Sequence, residues 1–268
     1  MLVDSHCHLN YKGLYESVDD VVARARAAGV GTMLTINTRL SEFDEVLGIA
    51  RKFDDIYCSV GVHPHEAENH PEVAVAQLIE RAEDPLVVAI GETGLDYYYD
   101  HSPRDQQQDS FRTHIAAARQ SGLPIIIHTR DADDDCARIL TEEMGKGAFT
   151  GVIHCFTASA AFARKALALG LYISISGIVT FKTAEDLRDV VREVPLERLL
   201  IETDAPFLAP VPKRGKTNEP AFVAHVAARV AEIKGIGIAE LENITARNFF
   251  DLFTKARPPE GWRMEPAA

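Results

Sequence analysis

Closely spaced cysteines are missing from this sequence. Its 268 residues include four cysteines, none of which forms a C-x-x-C pair: Cys7, Cys58, Cys136 and Cys155. This spacing excludes a zinc knuckle, and a chain of this length can bury a core without disulfides. The G-x-S-x-G motif of serine hydrolases and the P-loop of nucleotide-binding proteins are also missing. We therefore expect four reduced thiols and assign no nucleophilic cysteine.

Positive charge is scarce as well. The chain has 28 Lys and Arg against 40 Asp and Glu, which gives a net charge of −12. A broad electrostatic grip on DNA or RNA needs many contacts between basic side chains and phosphates, so this balance excludes it. A nucleic-acid substrate stays possible where metal ions supply the local positive charge.

Long apolar runs are absent too, since none approaches the roughly 18 residues that a membrane helix needs. The first residues, Met-Leu-Val-Asp-Ser-His, have neither the basic start nor the apolar stretch of a secretory signal. We therefore expect a cytoplasmic protein with no membrane contact, and the sequence implies no stable protein partner.

What the sequence has is a regular alternation of short apolar runs and longer amphipathic stretches. Eight runs are typical of buried parallel strands: Leu2–Asp4, Thr32–Asn37, Ile56–Val62, Leu86–Gly91, Pro124–His128, Gly151–His154, Leu171–Ser174 and Leu199–Glu202. Five helices are predicted between them: Val18–Ala28, Glu42–Phe53, Pro103–Gln120, Ala160–Leu169 and Ala184–Val194. Eight such units close a barrel, so the sequence predicts a single TIM-type (β/α)₈ barrel domain over residues 1–268. A doubly wound open sheet is the rival architecture.

Six polar residues stand at the carboxyl ends of these predicted strands, where barrel enzymes keep their active sites. They are His6, His8, Glu92, His128, His154 and Asp204. Taken singly, a histidine after an apolar run is usually a hydrogen-bonded core residue and not a metal ligand. Each carboxylate also has a structural alternative, as a helix cap, an ion-pair partner or a turn residue. Their convergence on one mouth favours a metal site.

The donor set predicts two divalent ions. One would take His6, His8, Glu92 and Asp204, and the other would take Glu92, His128 and His154. Two ions about 3.5–4 Å apart form the clamp that hydrolyses phosphate esters. Ligation by nitrogen and oxygen without sulfur fits Zn²⁺, Mn²⁺ or Co²⁺, and Mg²⁺ less well.

These motifs resemble the TatD family of metal-dependent deoxyribonucleases, a branch of the amidohydrolase-like barrels. The matching stretches run from Asp4 to Pro220: Asp4-Ser-His-Cys-His-Leu, Gly61-Val-His-Pro-His, Gly91-Glu-Thr-Gly-Leu-Asp-Tyr-Tyr, Ile127-His-Thr-Arg, His154-Cys-Phe-Thr, Glu202-Thr-Asp-Ala-Pro-Phe-Leu-Ala-Pro and Arg214-Gly-Lys-Thr-Asn-Glu-Pro. The resemblance implies a barrel in which the same six residues hold the metals. It implies nuclease activity less directly, because related barrels run other hydrolyses.

Four further residues are predicted to contact substrate. His63 follows the third strand and can donate a hydrogen bond to a phosphate oxygen. Arg130 can bind a phosphate through two of its guanidinium nitrogens. Lys216 and Asn218 lie in the basic loop after the eighth strand, a common phosphate-binding position in barrels. The alternatives are turn structure at His63, a salt bridge from Arg130 to residues 131–135, and helix capping by Asn218.

Aromatic residues near the predicted mouth can stack bases or can simply pack. Tyr97, Tyr98 and Phe156 all follow predicted strands, so both interpretations stay open for them.

Three functions compete. The first is a deoxyribonuclease of the 3′-5′ exonuclease type that acts on single-stranded or frayed ends, with Glu92 and Asp204 as catalytic groups and Asp204 accepting the proton of the attacking hydroxide. The second is a hydrolase of an ester or amide bond, such as a D-aminoacyl-tRNA deacylase. The third is a non-catalytic metal-binding partner protein, which the complete ligand set disfavours.

Overall fold

Eight parallel strands form one sheet in chain order. The computed structural model describes residues 1–262, and within them the strands are β1 Leu2–Cys7, β2 Val30–Thr35, β3 Ile56–Val60, β4 Val87–Asp96, β5 Ile125–Arg130, β6 Gly151–Ile153, β7 Tyr172–Ile175 and β8 Leu199–Ile201. The predicted fold class, a TIM-type (β/α)₈ barrel, is confirmed. The single predicted domain runs to residue 268, and residues 263–268 lie outside the described part.

Two strands extend three or more residues beyond their predicted ends. The prediction ends β4 at Gly91, but the strand continues to Asp96 because residues 93–96 pair with residues 127–130 of β5. Strand β1 likewise continues from Asp4 to Cys7. His6 therefore lies inside a strand instead of following one, and its backbone position is fixed by the sheet.

Helices cover the outside of the sheet in the described residues. They are α1 Val18–Ala27, α2 Phe43–Lys52, α3 Val75–Ala82, α4 Arg104–Ser121, α5 Asp133–Lys146, α6 Ala160–Ala168, α7 Glu185–Glu193, α8 Val223–Lys234 and α9 Ile238–Leu252. The five predicted helices are present, and α3, α5, α8 and α9 are additional. No helix within residues 1–262 combines the length and the apolar character that a membrane span requires.

The sheet closes where β1 meets the residues that follow β8. The His8 amide donates to the Ala205 carbonyl at 2.8 Å, and the Asp204 amide donates to the His6 carbonyl at 2.9 Å. Ser5 Oγ adds a bond to the Ile201 carbonyl at 3.0 Å. Because these bonds tie the first strand to the last, they place Asp204 beside His6 and His8 although about 200 residues separate them in sequence.

Helix α9 packs against a buried apolar cluster to which every strand contributes. The cluster includes Val3, Leu34, Tyr57, Val88, Ile126, Val152, Tyr172 and Leu200, together with Phe249, Leu252 and Phe253 from the end of the chain. Most of the other apolar side chains of the strands pack in a second cluster with α1 to α8. We conclude that α9 plugs the amino-terminal end of the barrel, so the opposite, carboxyl-terminal end is the open one.

This packing predicts a large stability cost for Phe249→Ala. The ring is fully buried in the cluster, so its removal leaves a cavity and should lower the free energy of unfolding by about 3–5 kcal/mol. Ile238→Ala in the same helix is the control, because Ile238 is 46% exposed and its loss should cost far less. Urea denaturation measures both, and equal costs for the two variants would show that α9 does not plug the barrel.

Candidate metal centre

The open end of the barrel holds a cavity of about 760 Å³. Five of the six predicted ligands line it, namely His8, Glu92, His128, His154 and Asp204. The sixth, His6, is fully buried next to Glu92. The structure therefore brings all six residues together from the carboxyl-terminal halves and ends of four strands, β1, β4, β5 and β6, and from the segment after β8.

Glu92 is the centre of this arrangement, because its two carboxylate oxygens face different groups. Oε2 lies 3.3 Å from His6 Nε2 and 3.9 Å from His8 Nε2. Oε1 lies 2.7 Å from His154 Nε2 and 3.2 Å from His128 Nδ1. A carboxylate that offers one oxygen to each of two donor groups has the geometry of a bridging ligand.

The first group consists of His6, His8 and Asp204. The two Nε2 atoms are 3.3 Å apart. Asp204 Oδ1 lies 3.4 Å from His8 Nε2 and 3.7 Å from His6 Nε2. Donors on a tetrahedral ion with bonds of about 2.0–2.1 Å are separated by about 3.3 Å, so these atoms need little movement to share one ion.

The second group consists of His128 and His154, with His63 beside them. His128 Nδ1 and His154 Nε2 are 3.2 Å apart, and His63 Nε2 lies 3.4 Å from Glu92 Oε1. Together, His63, Glu92 and His128 hold three donor atoms within reach of one cation. His63 was predicted to contact substrate, and its position is equally suited to this group.

Two carboxylates that the sequence analysis did not single out fix the orientation of these imidazoles. Asp96 Oδ2 lies 3.1 Å from His128 Nε2, which turns Nδ1 toward Glu92. Glu202 Oε1 lies 3.3 Å from His154 Nδ1, which turns Nε2 the same way. Carboxylates that hold the outer nitrogen of a ligating histidine are a regular feature of metal sites.

Charge within the site keeps the carboxylates ionised. Burial opposes ionisation of Glu92, but the imidazoles of His154, His63 and His6 hold its pKa well below the usual range. Asp204 follows the same pattern, with burial opposed by His8 and His6, and its pKa is lowered. Burial lowers the pKa of His6, and it lowers the pKa of His63 to about 4, so both are neutral at pH 7.

Burial opposes protonation of His128 and His154, but the carboxylates reverse this: Asp96 and Glu92 raise the pKa of His128, and Glu92 and Glu202 raise the pKa of His154 well above its usual value. A cation that binds these nitrogens takes the place of their protons.

A buried carboxylate oxygen that accepts no hydrogen bond also supports a metal site. Glu92 Oε2 is buried and accepts no hydrogen bond. A buried anionic oxygen without a donor costs several kcal/mol unless a cation compensates it, on the order of the penalty for burying a charge. The donor set, the spacing and this oxygen together fit divalent ions.

His65, His101 and Cys155 also line the cavity, although none of them belongs to the predicted set of site residues. His65 lies 2.8 Å from Asp96, and its ring contacts the ring of His101 at 4.6 Å. The sequence analysis left His101 unassigned, but it lines the cavity. Cys155 lines it as well, and burial raises the pKa of this thiol well above its usual value, which agrees with the absence of a nucleophilic role.

The remaining predicted substrate contacts have different positions. Arg130 lines the cavity and lies over the ring of Tyr98 at 4.0 Å. Lys216 is exposed on its loop and does not line the cavity, so its contact with substrate stays a prediction. Asn218 requires a correction, because it is fully buried and its amide nitrogen donates to the carbonyls of Thr203 and Phe207. It holds the loop in place and has no free group for substrate.

The position of Asp96 predicts the effect of Asp96→Asn on metal binding. The amide nitrogen that replaces Oδ2 cannot accept a hydrogen bond from His128 Nε2, so His128 loses the tautomer that presents Nδ1 to Glu92. We expect about 10- to 100-fold weaker binding at the His128–His154 group, with the fold intact. Calorimetric titration with Mn²⁺ measures it. Asp44→Asn, on the exposed face of α2, is the control; identical titrations for the two variants would contradict the role of Asp96.

Known proteins match this chain over nearly its whole length. A family model described as TatD related DNase matches residues 3–254. The uncharacterized metal-dependent hydrolase YcfH of Escherichia coli K12 is 48% identical over 255 residues, which cover 94% of this chain and 95% of that protein. The 3′-5′ ssDNA/RNA exonuclease TatD of Cronobacter sakazakii is 37% identical over 249 residues, covering 90% and 93%.

A solved structure agrees with the sequence matches. The crystal structure of YjjV, a TatD homolog from Escherichia coli K12, superposes with a TM-score of 0.87 at 31% identity and covers 94% of this chain and 98% of its own. The metal-type donor cluster at the open end of the barrel and the match over residues 3–254 agree with each other. The chain therefore belongs to the TatD-related DNase family of metal-dependent hydrolases.

Proposed function

We propose that this protein hydrolyses phosphodiester bonds of DNA from single-stranded or frayed ends, as an exonuclease that works in the 3′-5′ direction with two divalent ions. The observation that carries the proposal is the placement of Glu92, whose two oxygens face two donor groups at an open cavity. The name of the Cronobacter sakazakii relative, a 3′-5′ ssDNA/RNA exonuclease, supports the polarity and the substrate class.

The ligands would be divided between two ions. His6, His8, Glu92 and Asp204 would hold one, and Glu92, His128 and His154 would hold the other; Zn²⁺, Mn²⁺, Co²⁺ and Mg²⁺ are the candidates. Bound there, such ions supply Lewis acidity at the phosphate and lower the pKa of water.

The side chains around the cavity have separate roles in this reaction. Asp204 is the more accessible of the two proposed catalytic carboxylates, because 13% of its side chain is exposed against 3% for Glu92. It can therefore orient the attacking water and take its proton. Arg130 has a guanidinium held over Tyr98 and Tyr99, at 4.0 and 4.8 Å, and can bind a phosphate oxygen. Neutral His63 can donate to another phosphate oxygen from its place beside Glu92.

Charge and shape favour an end of a single strand. A net charge of −12 gives little counterion release, so binding is local to a few nucleotides. A cavity of about 760 Å³ is the size of an ordinary ligand pocket, and a strand end can enter it where the middle of a duplex cannot.

The proposal predicts that Glu92→Ala abolishes turnover. Its loss removes the group that serves both ions, so kcat should fall by several orders of magnitude, and elemental analysis should find fewer than two ions per chain. Arg130→Ala is the matched comparison, because it removes a substrate contact and should mainly raise KM, by roughly 5- to 100-fold. Circular dichroism checks that both variants are folded. Near-normal kcat for Glu92→Ala at saturating metal would rule out the bridged pair.

The substrate is tested by digestion of labelled polymers. With Mn²⁺, Mg²⁺ or Zn²⁺ present, the protein should shorten a 5′-labelled single strand from its 3′ end, cut a frayed duplex more slowly, and leave a closed circular duplex intact. EDTA should stop the reaction. Aminoacyl-tRNA is included, because release of the amino acid without any shortening of DNA would favour the deacylase instead. Efficient cutting of the closed circle would also contradict the proposal.

A further inference from the structure

Exposed aromatic rings concentrate at the cavity that holds the donor cluster. Among the described residues, six large apolar side chains are strongly exposed: Tyr15, Tyr98, Tyr99, Phe207, Val211 and Ile238. Three of these six, Tyr98, Tyr99 and Phe207, line the cavity. Exposed aromatic surface costs solvation free energy, so its concentration around one opening points to a ligand with flat apolar faces.

The first surface is Phe207, which we call the Phe207 platform. Its ring is 50% exposed and lies 5.9 Å from the ring of Tyr11 and 6.2 Å from that of His8, in edge-to-face geometry. The Phe207 amide donates to the Asp204 carbonyl at 2.9 Å, which fixes the ring beside the His6–His8–Asp204 group.

The second surface is formed by Tyr98 and Tyr99, which we call the Tyr98–Tyr99 platform. Tyr98 is 57% exposed and Tyr99 is 49% exposed, and their rings meet at 4.8 Å. Both backbone amides donate to Asp96 Oδ1, at 3.1 and 2.9 Å, and the Arg130 guanidinium lies over both rings. This platform is therefore rigid, and it stands beside the His128–His154 group.

The two platforms stand on opposite sides of the barrel mouth. Phe207 follows β8, whereas Tyr98 and Tyr99 follow β4, and four steps around an eight-stranded barrel is half of its circumference. Glu92 lies between them, since one of its oxygens faces the donor group beside Phe207 and the other faces the group beside Tyr98.

Other aromatic residues near the mouth do not share this arrangement. Phe156 is 1% exposed and packs on Phe162, so of the two interpretations left open for it the structure favours packing. Tyr97 is only partly exposed, donates its hydroxyl to Asp135 and does not line the cavity. Among the described residues, the strongly exposed aromatic rings that line the cavity are therefore those of Tyr98, Tyr99 and Phe207.

From this geometry we propose that the two platforms bind the nucleobases on either side of the scissile phosphodiester, one base on Phe207 and the other on the face of Tyr98 opposite Arg130. Tyr99, whose ring plane lies at 89° to that of Tyr98, supports Tyr98 from the side. The inference rests on the proposed nuclease function and deepens it. Every nucleobase has a flat face that stacks on aromatic rings, and Arg130 beside the second platform supplies a cation for the connecting phosphate. Because the platforms face each other across the donor cluster, the two bases must be unstacked from one another. The substrate therefore has at least two unpaired nucleotides at its end.

The experiment couples each platform to one base. Single-stranded oligonucleotides carry an abasic site either at the terminal or at the penultimate 3′ nucleotide, and kcat/KM for release of the terminal unit is measured with Mn²⁺ for wild type, Phe207→Ala and Tyr98→Ala. On the intact strand each variant should lose about 5- to 100-fold, which corresponds to the usual strength of one base–aromatic contact. Each loss should vanish on one abasic strand only, and the two variants should respond to different strands.

Control variants separate stacking from general damage. Tyr98→Phe keeps the ring and should recover most of the kcat/KM that Tyr98→Ala loses. Phe207→Leu keeps apolar bulk without an aromatic face, so its kcat/KM should fall nearly as far as that of Phe207→Ala. Tyr15→Ala removes a ring that is 44% exposed but does not line the cavity, and it should behave as wild type on every strand.

The outcomes also separate this inference from the function beneath it. If wild type cuts neither intact nor abasic strands, the proposed nuclease function fails and the platforms fail with it. If wild type cuts all strands equally well, the nuclease function stands and the platforms are wrong. Losses in both variants that vanish on the same abasic strand would overturn the placement of the bases on opposite sides.

Discussion

A carboxylate buried among imidazoles is the interaction on which the rest of this site depends. Glu92 lies in β4 with almost no exposure to water, and its two oxygens contact His6 and His154, whose rings stack on each other at 3.9 Å. Burial alone would favour the neutral acid, and the surrounding nitrogens reverse that preference. The barrel makes this cluster possible because its strands end side by side, so that β1, β4, β5, β6 and the segment after β8 bring their donors to one place.

Support for the site comes from residues that touch no predicted ion. Asp96 receives hydrogen bonds from two histidines through one oxygen and from the backbone of Tyr98 and Tyr99 through the other. One side chain thus connects the orientation of His128 to the position of the aromatic rings above it. Glu202 orients His154 in the same way, through His154 Nδ1, and it also accepts a hydrogen bond from the Cys155 amide at 2.6 Å. The donor groups are held by the strands beneath and by these carboxylates behind.

The sequence predicted the barrel and the six clustered residues because both follow from the same periodicity. Apolar runs mark the strands, and a polar residue that ends such a run must lie at the mouth. Asp96 escaped prediction since β4 seemed to end at Gly91, and only its pairing with β5 carries the strand on to Asp96. Asn218 was placed at the substrate for the opposite reason: a basic loop indicates exposure, whereas the loop folds back and its amide bonds Thr203 and Phe207. Long-range pairing and loop closure have no local signal in the chain.

Closure of the barrel by α9 turns the cavity into a blind chamber. Phe249 and Phe253 fill the end opposite the mouth, so a polymer cannot be threaded through the barrel, and whatever enters between the two platforms must leave by the same opening. In the proposed reaction, a cleaved nucleotide and the shortened strand would therefore share one exit. In that reaction, the strand would have to move back from the donor cluster far enough to let the nucleotide out before the next bond could take its place.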